Sequence, residues 1–348
     1  MRFSITLKKA CSKFGMIDSS RTLSGTPLNP IGLGCMSLSQ AYYPLPSEEE
    51  GIRLLNKAID LGVAHLDTAR LYGLGHNEAL LSRVLKSRRD EVFLASKCGI
   101  EAEGPKRSID CKPATIRRAV ETSLKTLNVD FIDLYYLHRR DKDVPIEESV
   151  GTLADLKSEG KIGAIGLSEM SAETLGKAAA EHPIAAMQSE YSLWTRNPEI
   201  AVLEACKKLK TAFIAFSPLG RGVLAKGLDD ATRLDKRDLR VKHPRFNEDN
   251  WPKNRGLMDR FEALARKANI TPAQLSLAWV LNQGSHVHVI PGTANLDHLE
   301  ENLATLSIEV PSDLLKQAGE IVNNTSVSGH RYPEKLRAAI DTEEFDAC

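Results

Sequence analysis

From Ile31 onward, short apolar or β-branched runs alternate with longer segments whose apolar residues recur every three or four positions. That alternation predicts successive βα units and a parallel sheet. Strands are expected at Ile31–Met36, Ala64–Asp67, Val92–Lys97, Ile132–His138, Ile162–Ser168, Ala185–Ser189, Ala212–Phe216 and Val287–Pro291. Among the helical segments, Ser47–Leu61 puts Ile52, Leu55 and Ile59 on one face, and Thr115–Leu127 and Ile146–Glu159 repeat the pattern. Pro198 and Pro272 suit the first turn of helices running to Leu209 and Asn282, the second capped by Thr271.

Eight strands with intervening helices fit an α/β fold, a single (β/α)₈ TIM barrel. A doubly wound sheet binding a dinucleotide would carry Gly-x-Gly-x-x-Gly after a strand, and Gly32-Leu33-Gly34 lacks the third glycine. Ser20–Leu23 and Pro27–Pro30, around Ser24-Gly25-Thr26, suit a hairpin closing the lower end of the barrel. The segment Leu219–Arg255 has no clear period and is rich in charge, glycine and proline. It is expected to be a long irregular connection covering an active site.

The 348 residues fit one barrel domain, 18–348, preceded by an extension, 1–17. That extension carries Arg2, Lys8, Lys9 and Lys13 and no acid before Asp18. Both an organellar transit segment and a plain N-terminal extension fit such a composition. Lys+Arg and Asp+Glu both number 46, so the charge balance offers nothing to nucleic acid or an anionic membrane. No apolar run approaches membrane-spanning length. The six cysteines include no Cys-x-x-Cys pair and read as reduced thiols in a cytoplasmic setting. The expected partner is a small molecule, with oligomeric state left open.

Chemistry in α/β barrels sits at the C-terminal ends of the strands. Asp67, Lys97 and His138 stand at three successive expected strand ends, and Tyr72 follows Asp67 by five residues. Each alone has a plain explanation: a helix cap, a surface lysine, a core histidine, a loop aromatic. Together they supply what hydride-coupled proton transfer needs. A carbonyl reduced by hydride becomes an alkoxide that must be protonated, and a free tyrosine titrates near 10, too high for efficient exchange at neutral pH. A nearby ammonium would lower that value, an imidazole would polarise the carbonyl, and an aspartate would keep the lysine charged. No metal is expected, because His65, His76 and His138 lack the spacing of a zinc site.

The run Leu66-Asp67-Thr68-Ala69-Arg70-Leu71-Tyr72-Gly73, followed by Asn77-Glu78, resembles the signature of the aldo-keto reductases. Ala95-Ser96-Lys97, Tyr135-Tyr136-Leu137-His138, Ile165-Gly166-Leu167-Ser168, Gln188–Ser192, Ser217–Gly222 and Ile290-Pro291-Gly292-Thr293 extend the resemblance in order, over about Ser20 to Tyr332. It implies NADP(H)-dependent reduction of an aldehyde or ketone. Tyr72 would be the general acid, Lys97 and Asp67 its tuning pair, and His138 the residue orienting the carbonyl. Ser168 and Gln188 would hold the nicotinamide carboxamide, and Phe216 would stack on the ring. Gly34, Cys35 and Met36 are further expected cofactor contacts. Ser217, Pro218, Leu219 and Arg221 would follow the pyrophosphate. Gly292, Thr293, Asn295, His298, Glu301 and Asn302 would surround the adenosine end.

Two departures shape these expectations. Where similar proteins carry a basic residue just after Pro-Gly-Thr, this chain has Ala294 and Asn295, and His298 stands at another arginine-type position. A 2′-phosphate is best matched by Arg or Lys, so NAD(H) stays open as an alternative cofactor. Glu169 follows Ser168 where many similar proteins have asparagine. The resemblance also admits a regulatory subunit that keeps the cofactor pocket but acts through a protein partner, as in potassium-channel β-subunits; the complete tetrad favours turnover. Substrate specificity is expected from Leu38–Leu45, Arg139–Asp143 and Leu219–Arg255, with Tyr42, Tyr43, Trp194 and Trp251 as candidate aromatic lining.

Overall fold

The computed structural model describes residues 21–345 apart from 104, 105, 227 and 229, so the expected 1–17 extension lies outside the described residues. Eight strands pair in parallel: β1 (Leu33–Gly34), β2 (His65–Asp67), β3 (Phe93–Cys98), β4 (Ile132–Leu137), β5 (Ile162–Ser168), β6 (Ala186–Glu190), β7 (Ala212–Phe216) and β8 (Val287–Ile290). They follow one another in chain order around the sheet. Between β1 and β8 the ring closes through Ile31 beside Val289, with the Gly32 N–H donating to the Val289 carbonyl at 2.9 Å. The architecture is thus the (β/α)₈ barrel.

Helices α1 (Glu48–Asp60), α2 (His76–Arg88), α3 (Pro113–Leu127), α4 (Ile146–Ser158), α5 (Ala172–Glu181), α6 (Val202–Leu209), α7 (Trp251–Lys267), α8 (Pro272–Leu281), α9 (Leu296–Ala304) and α10 (Ser312–Ile321) surround it. Local chemistry sets several of their ends. Ser47 with Glu50 and Thr271 with Gln274 form reciprocal capping boxes at the starts of α1 and α8. The expected helix from Pro198 does not run through. A short 3₁₀ turn, Asn197–Glu199, comes first, and Ala201 at φ −154° separates it from α6.

Most of the apolar core lies between strands and helices. A second, smaller cluster fills the barrel, built from alternate strand residues such as Phe93, Ala95, Leu134, Tyr136, Ala164, Ala186 and Ile214. Leu23 and Leu28 join it from below. They belong to the expected hairpin, Thr22–Leu23 paired with Thr26–Pro27 across Ser24 and Gly25, both at positive φ. Because side chains alternate along a strand, the next inward positions above these residues are Lys97 on β3, His138 just past β4, Ser168 on β5, Gln188 on β6 and Phe216 on β7. The barrel's pleat therefore delivers the polar residues to its mouth.

Three features depart from the sequence expectations. An antiparallel hairpin, Ile100–Glu103 with Lys106–Ile109, follows β3. The first strand is short, since Met36–Leu38 already turns as 3₁₀. Within Leu219–Arg255 the chain forms 3₁₀ turns at Gly220–Ala225, Ala231–Arg233, Leu239–Lys242 and Pro244–Phe246, and α7 begins at Trp251, inside the stretch expected to be irregular. Among the described residues no helix is long and apolar enough to cross a membrane. Cys35, Cys98, Cys111 and Cys206 are buried free thiols.

Candidate active site

At the C-terminal mouth of the barrel, Lys97 is fully enclosed. Its ammonium donates to Asp67 Oδ1, to the Thr68 carbonyl at 2.9 Å and to the Tyr72 hydroxyl at 3.2 Å. Across the mouth, the Gln188 amide nitrogen donates to the other Asp67 oxygen at 2.7 Å. The Tyr72 and His138 rings meet edge to face with centroids 5.9 Å apart. The four expected catalytic residues, from three strands and one loop, thus converge on one point.

Backbone geometry delivers Tyr72. It opens the 3₁₀ segment Tyr72–Gly75, in which Gly73 (φ 59°) and Gly75 (φ 96°) take left-handed conformations. The Gly73 N–H donates to Gln40 Oε1 at 3.0 Å, tying this loop to the one after β1. Asn77 reinforces the tie, accepting from Thr68 Oγ1 at 2.6 Å and donating to the Cys35 carbonyl at 2.8 Å. Glu78 accepts from Ser96 Oγ at 2.6 Å, beside Lys97. Asn77 and Glu78, readable in the sequence only as part of a motif, are the pins of the Tyr72 loop.

Charge states follow from burial and contact. Burial pushes the Tyr72 phenol up; the Lys97 ammonium pulls it down, and the net displacement is upward. Lys97 thus pulls the phenol down as expected, but dehydration, not weighed in the sequence, outweighs that single neighbouring charge. Burial works against the Lys97 ammonium, but Asp67 and Tyr72 outweigh it and hold the lysine above its usual value. His138 is driven well below its ordinary value by burial, with Arg139 and Lys97 adding to the effect, so it is neutral at pH 7. The site is therefore a neutral phenol, a neutral imidazole and a charged Lys–Asp pair.

These groups open into a cavity of about 570 Å³. Asp67, Tyr72 and His138 line it, and Lys97 lies behind them. Of the expected cofactor residues, Gly34, Met36, Ser168, Gln188, Phe216, Ser217, Pro218, Leu219, Arg221, Gly292, Thr293, His298, Glu301 and Asn302 line the same cavity. Cys35 and Asn295 do not. The Cys35 thiol is turned toward the Leu33 carbonyl in the core, 3.6 Å away. Asn295 caps α9, its Oδ1 accepting from Asp297 N at 2.7 Å and His298 N at 3.1 Å. Arg221 lines the cavity but is also engaged, donating to Glu190 Oε2 at 2.8 Å. Two buried oxygens on the cavity wall, Ser37 Oγ and Asn302 Oδ1, have no protein partner. Buried polar atoms are rarely left unmatched, so these positions fit a polar ligand such as a dinucleotide.

Of the candidate aromatic lining, only Tyr42 faces the cavity. Tyr43 stacks under Arg237, Trp194 under Arg245, and Trp251 against Phe246. Glu169 is turned away from the mouth. It sits at φ 55°, accepts from Glu190 N at 2.8 Å and pairs with Arg331 at 2.9 Å. Sequence reasoning missed Tyr332, which lines the cavity from the C-terminal tail. Nothing local in the sequence marks it. Arg139, which opens one of the segments expected to set specificity, is also on the wall, as is Ala294, signalled only by adjacency to Thr293. Among the described residues no cluster of three His, Cys, Asp or Glu side chains is placed to hold a metal.

Comparison with known proteins places these features in a wider set. The model of the Aldo/keto reductase family matches residues 30–323. The chain is 41% identical over 310 residues to "Probable aldo-keto reductase 1" of Glycine max, covering 88% of this chain and 89% of the relative. It is 40% identical over 321 residues to aldo-keto reductase yakc of Schizosaccharomyces pombe, whose name specifies NADP(+), covering 90% and 94%. Among solved structures, a glycerol dehydrogenase from Gluconobacter oxydans superposes with a TM-score of 0.79 at 29% identity, covering 94% of this chain and 98% of that one. An aldo/keto reductase from Klebsiella pneumoniae in complex with NADP and acetate gives 0.68 at 26% identity, covering 89% and 96%.

Proposed function

The chain belongs to the aldo/keto reductase family and is an oxidoreductase, and from that premise we propose that it reduces an aldehyde or ketone with NADP(H), using Tyr72 as the proton donor. The observation that carries this reading is the convergence of Asp67, Tyr72, Lys97 and His138 at the mouth of a cavity long enough to reach Asn302. When bound, the nicotinamide cofactor supplies the hydride. The protein's part is to place the carbonyl oxygen between the Tyr72 hydroxyl and the His138 ring. There it can accept hydrogen bonds from both, which strengthen as negative charge develops on it.

Tyr72 then delivers its proton to that oxygen. Its raised pKa keeps the phenol protonated at neutral pH, the state a donor needs. The Lys97 ammonium, 3.2 Å from the hydroxyl and neutralised from behind by Asp67, stabilises the phenolate left behind. Ser168, Phe216 and the Ser217–Leu219 strip suit the nicotinamide and pyrophosphate; Thr293, His298 and Asn302 suit the adenosine end. The NADP(+) named for the S. pombe relative supports the choice of cofactor. Buried reduced thiols support a cytoplasmic setting.

Tyr72→Phe tests the assignment. Losing the acid should lower kcat for a reducible aldehyde by about 10²–10⁴-fold. NADPH binding, followed by fluorescence titration, should change little, because the hydroxyl acts mainly in the transition state. A variant with near-normal kcat would sink the assignment.

A further inference from the structure

None of these roles uses Arg139, although its guanidinium forms part of the cavity wall beside Tyr72 and His138. It follows His138 directly and opens the loop after β4. A guanidinium carries five N–H donors. Here Nη1 is engaged, donating to the His138 carbonyl at 2.6 Å and lying 3.4 Å from Ser168 Oγ. The edge formed by Nε and Nη2 engages nothing among the described residues, and neither atom is among the fully buried unpartnered ones. Other cations on or near the wall already have counter-ions. Arg221 faces Glu190 at 2.8 Å, Arg240 faces Asp238 at 2.8 Å, and Lys97 faces Asp67. Among the described residues no carboxylate comes within ion-pairing distance of Arg139.

A half-buried cation without a counter-ion has lost hydration with no charge to compensate it. Its open edge has the geometry that a carboxylate matches with two parallel hydrogen bonds. Position decides whose carboxylate that is. Arg139 reaches Ser168, at the end of the cavity where the reacting carbonyl would lie. Thr293, His298 and Asn302 stand at the other end, where the cofactor's phosphorylated adenosine is placed above. Its charge is also felt at both Tyr72 and His138.

We propose that Arg139 is a substrate-binding residue and that the preferred substrate is an oxo acid, an aldehyde or ketone carrying a carboxylate a few bonds from its carbonyl. The inference rests on the reductase reading above. It is tested by kcat/KM ratios for matched pairs, 4-formylbenzoate against 4-formylbenzamide and succinic semialdehyde against butanal, with NADPH saturating. In the native protein the carboxylate member of each pair should be favoured by about tenfold or more, the scale of one charge-assisted contact. Arg139→Gln should collapse both ratios toward one, and Arg139→Lys should restore part of the preference. Ratios near one in the native protein, or ratios that survive in R139Q, overturn the proposal. So does an equal loss on both members accompanied by a raised KM for NADPH, which would make Arg139 a cofactor-positioning residue. If R139Q does not fold, inhibition of the native protein decides. Benzoate should compete with the aldehyde about tenfold more tightly than benzamide, and equal inhibition overturns the proposal. Failure to reduce any of the four carbonyls would instead remove the reductase reading itself.

Discussion

Lys97 has no solvent contact and three acceptors around its ammonium, so its charge is fixed in place and acts on both Tyr72 and His138. Burial lifts the phenol and Lys97 opposes it, which gives a signed expectation. Reduction needs the protonated phenol, so its rate should hold through neutral pH and fall only as pH rises through the raised value. Alcohol oxidation needs the phenolate and should rise over the same alkaline interval. Lys97→Met removes the opposing charge. The alkaline fall in reduction should then move to higher pH, and oxidation at pH 7–8 should suffer more than reduction does. Paired pH–rate profiles check this, and an unmoved profile in K97M would refute the coupling. The same substitution leaves Asp67 buried without its cation, which should cost about 3–5 kcal/mol in urea unfolding. Glu169 shows a different residue-scale logic. Left-handed backbone suits asparagine better than glutamate, yet the φ of 55° is held by the buried pair with Arg331.

At the scale of elements, α9 shows how a motif residue can be drawn to a helix end beside the cavity. Asn295 precedes the helix with extended backbone, and its side chain satisfies two otherwise orphaned N–H groups. Its neighbour Ala294, exposed, is the residue on the cavity wall. Asn295→Ala should therefore cost about 1 kcal/mol of stability and leave the NADPH over NADH preference nearly unchanged. Ala294→Arg should sharpen that preference by supplying the fixed cation that a 2′-phosphate lacks there. Thermal unfolding of the first variant and the ratio of kcat/KM for the two cofactors in the second separate the two roles. A large change of preference in N295A would contradict them. The segment between β7 and α7 teaches a related lesson. Its aperiodic composition foretold a cover over the site, and Leu219, Arg221, Ala225, Leu239, Arg240 and His243 do line the cavity. The 3₁₀ turns inside it were not foreseen, although Asp230 and Asp238 cap two of them locally by accepting from Thr232 N and Arg240 N.

Across the whole molecule, the C-terminal tail returns to the mouth of the barrel. Arg331 pairs with Glu169 at 2.9 Å, and Asp341 Oδ2 accepts from Thr174 Oγ1 at 2.7 Å near the start of α5. Between them Tyr332 receives a hydrogen bond from Arg221 at 3.3 Å and becomes part of the cavity wall. A residue far along the chain thus shares a wall with Tyr72. Arg331→Met would strand the Glu169 carboxylate, and we expect a loss of about 3–5 kcal/mol with loosening of the tail. Substrate KM should rise more than kcat falls, since Tyr332 borders the cavity without reaching Tyr72. Urea unfolding and steady-state kinetics test this together. A variant with native stability would show that the latch contributes nothing.

The order of strands, the helix faces, the lower hairpin and the three polar residues at strand ends were legible in the sequence, because each rests on short-range chemistry. Strand alternation, helical periodicity, capping residues and glycine-containing turns are local constraints, and Asp67, Lys97 and His138 could be placed once the strands were placed. Closure of the barrel decided the rest. It carried the Gln188 amide across the mouth to Asp67 and turned the Cys35 thiol into the core. It also placed Arg139 on the cavity wall with one guanidinium edge unengaged among the described residues, while neighbouring arginines have carboxylate partners. Even the direction of the Tyr72 shift needed the fold. The sequence contains the lysine that pulls the phenol down, but dehydration, which outweighs it, exists only when distant strands enclose the site.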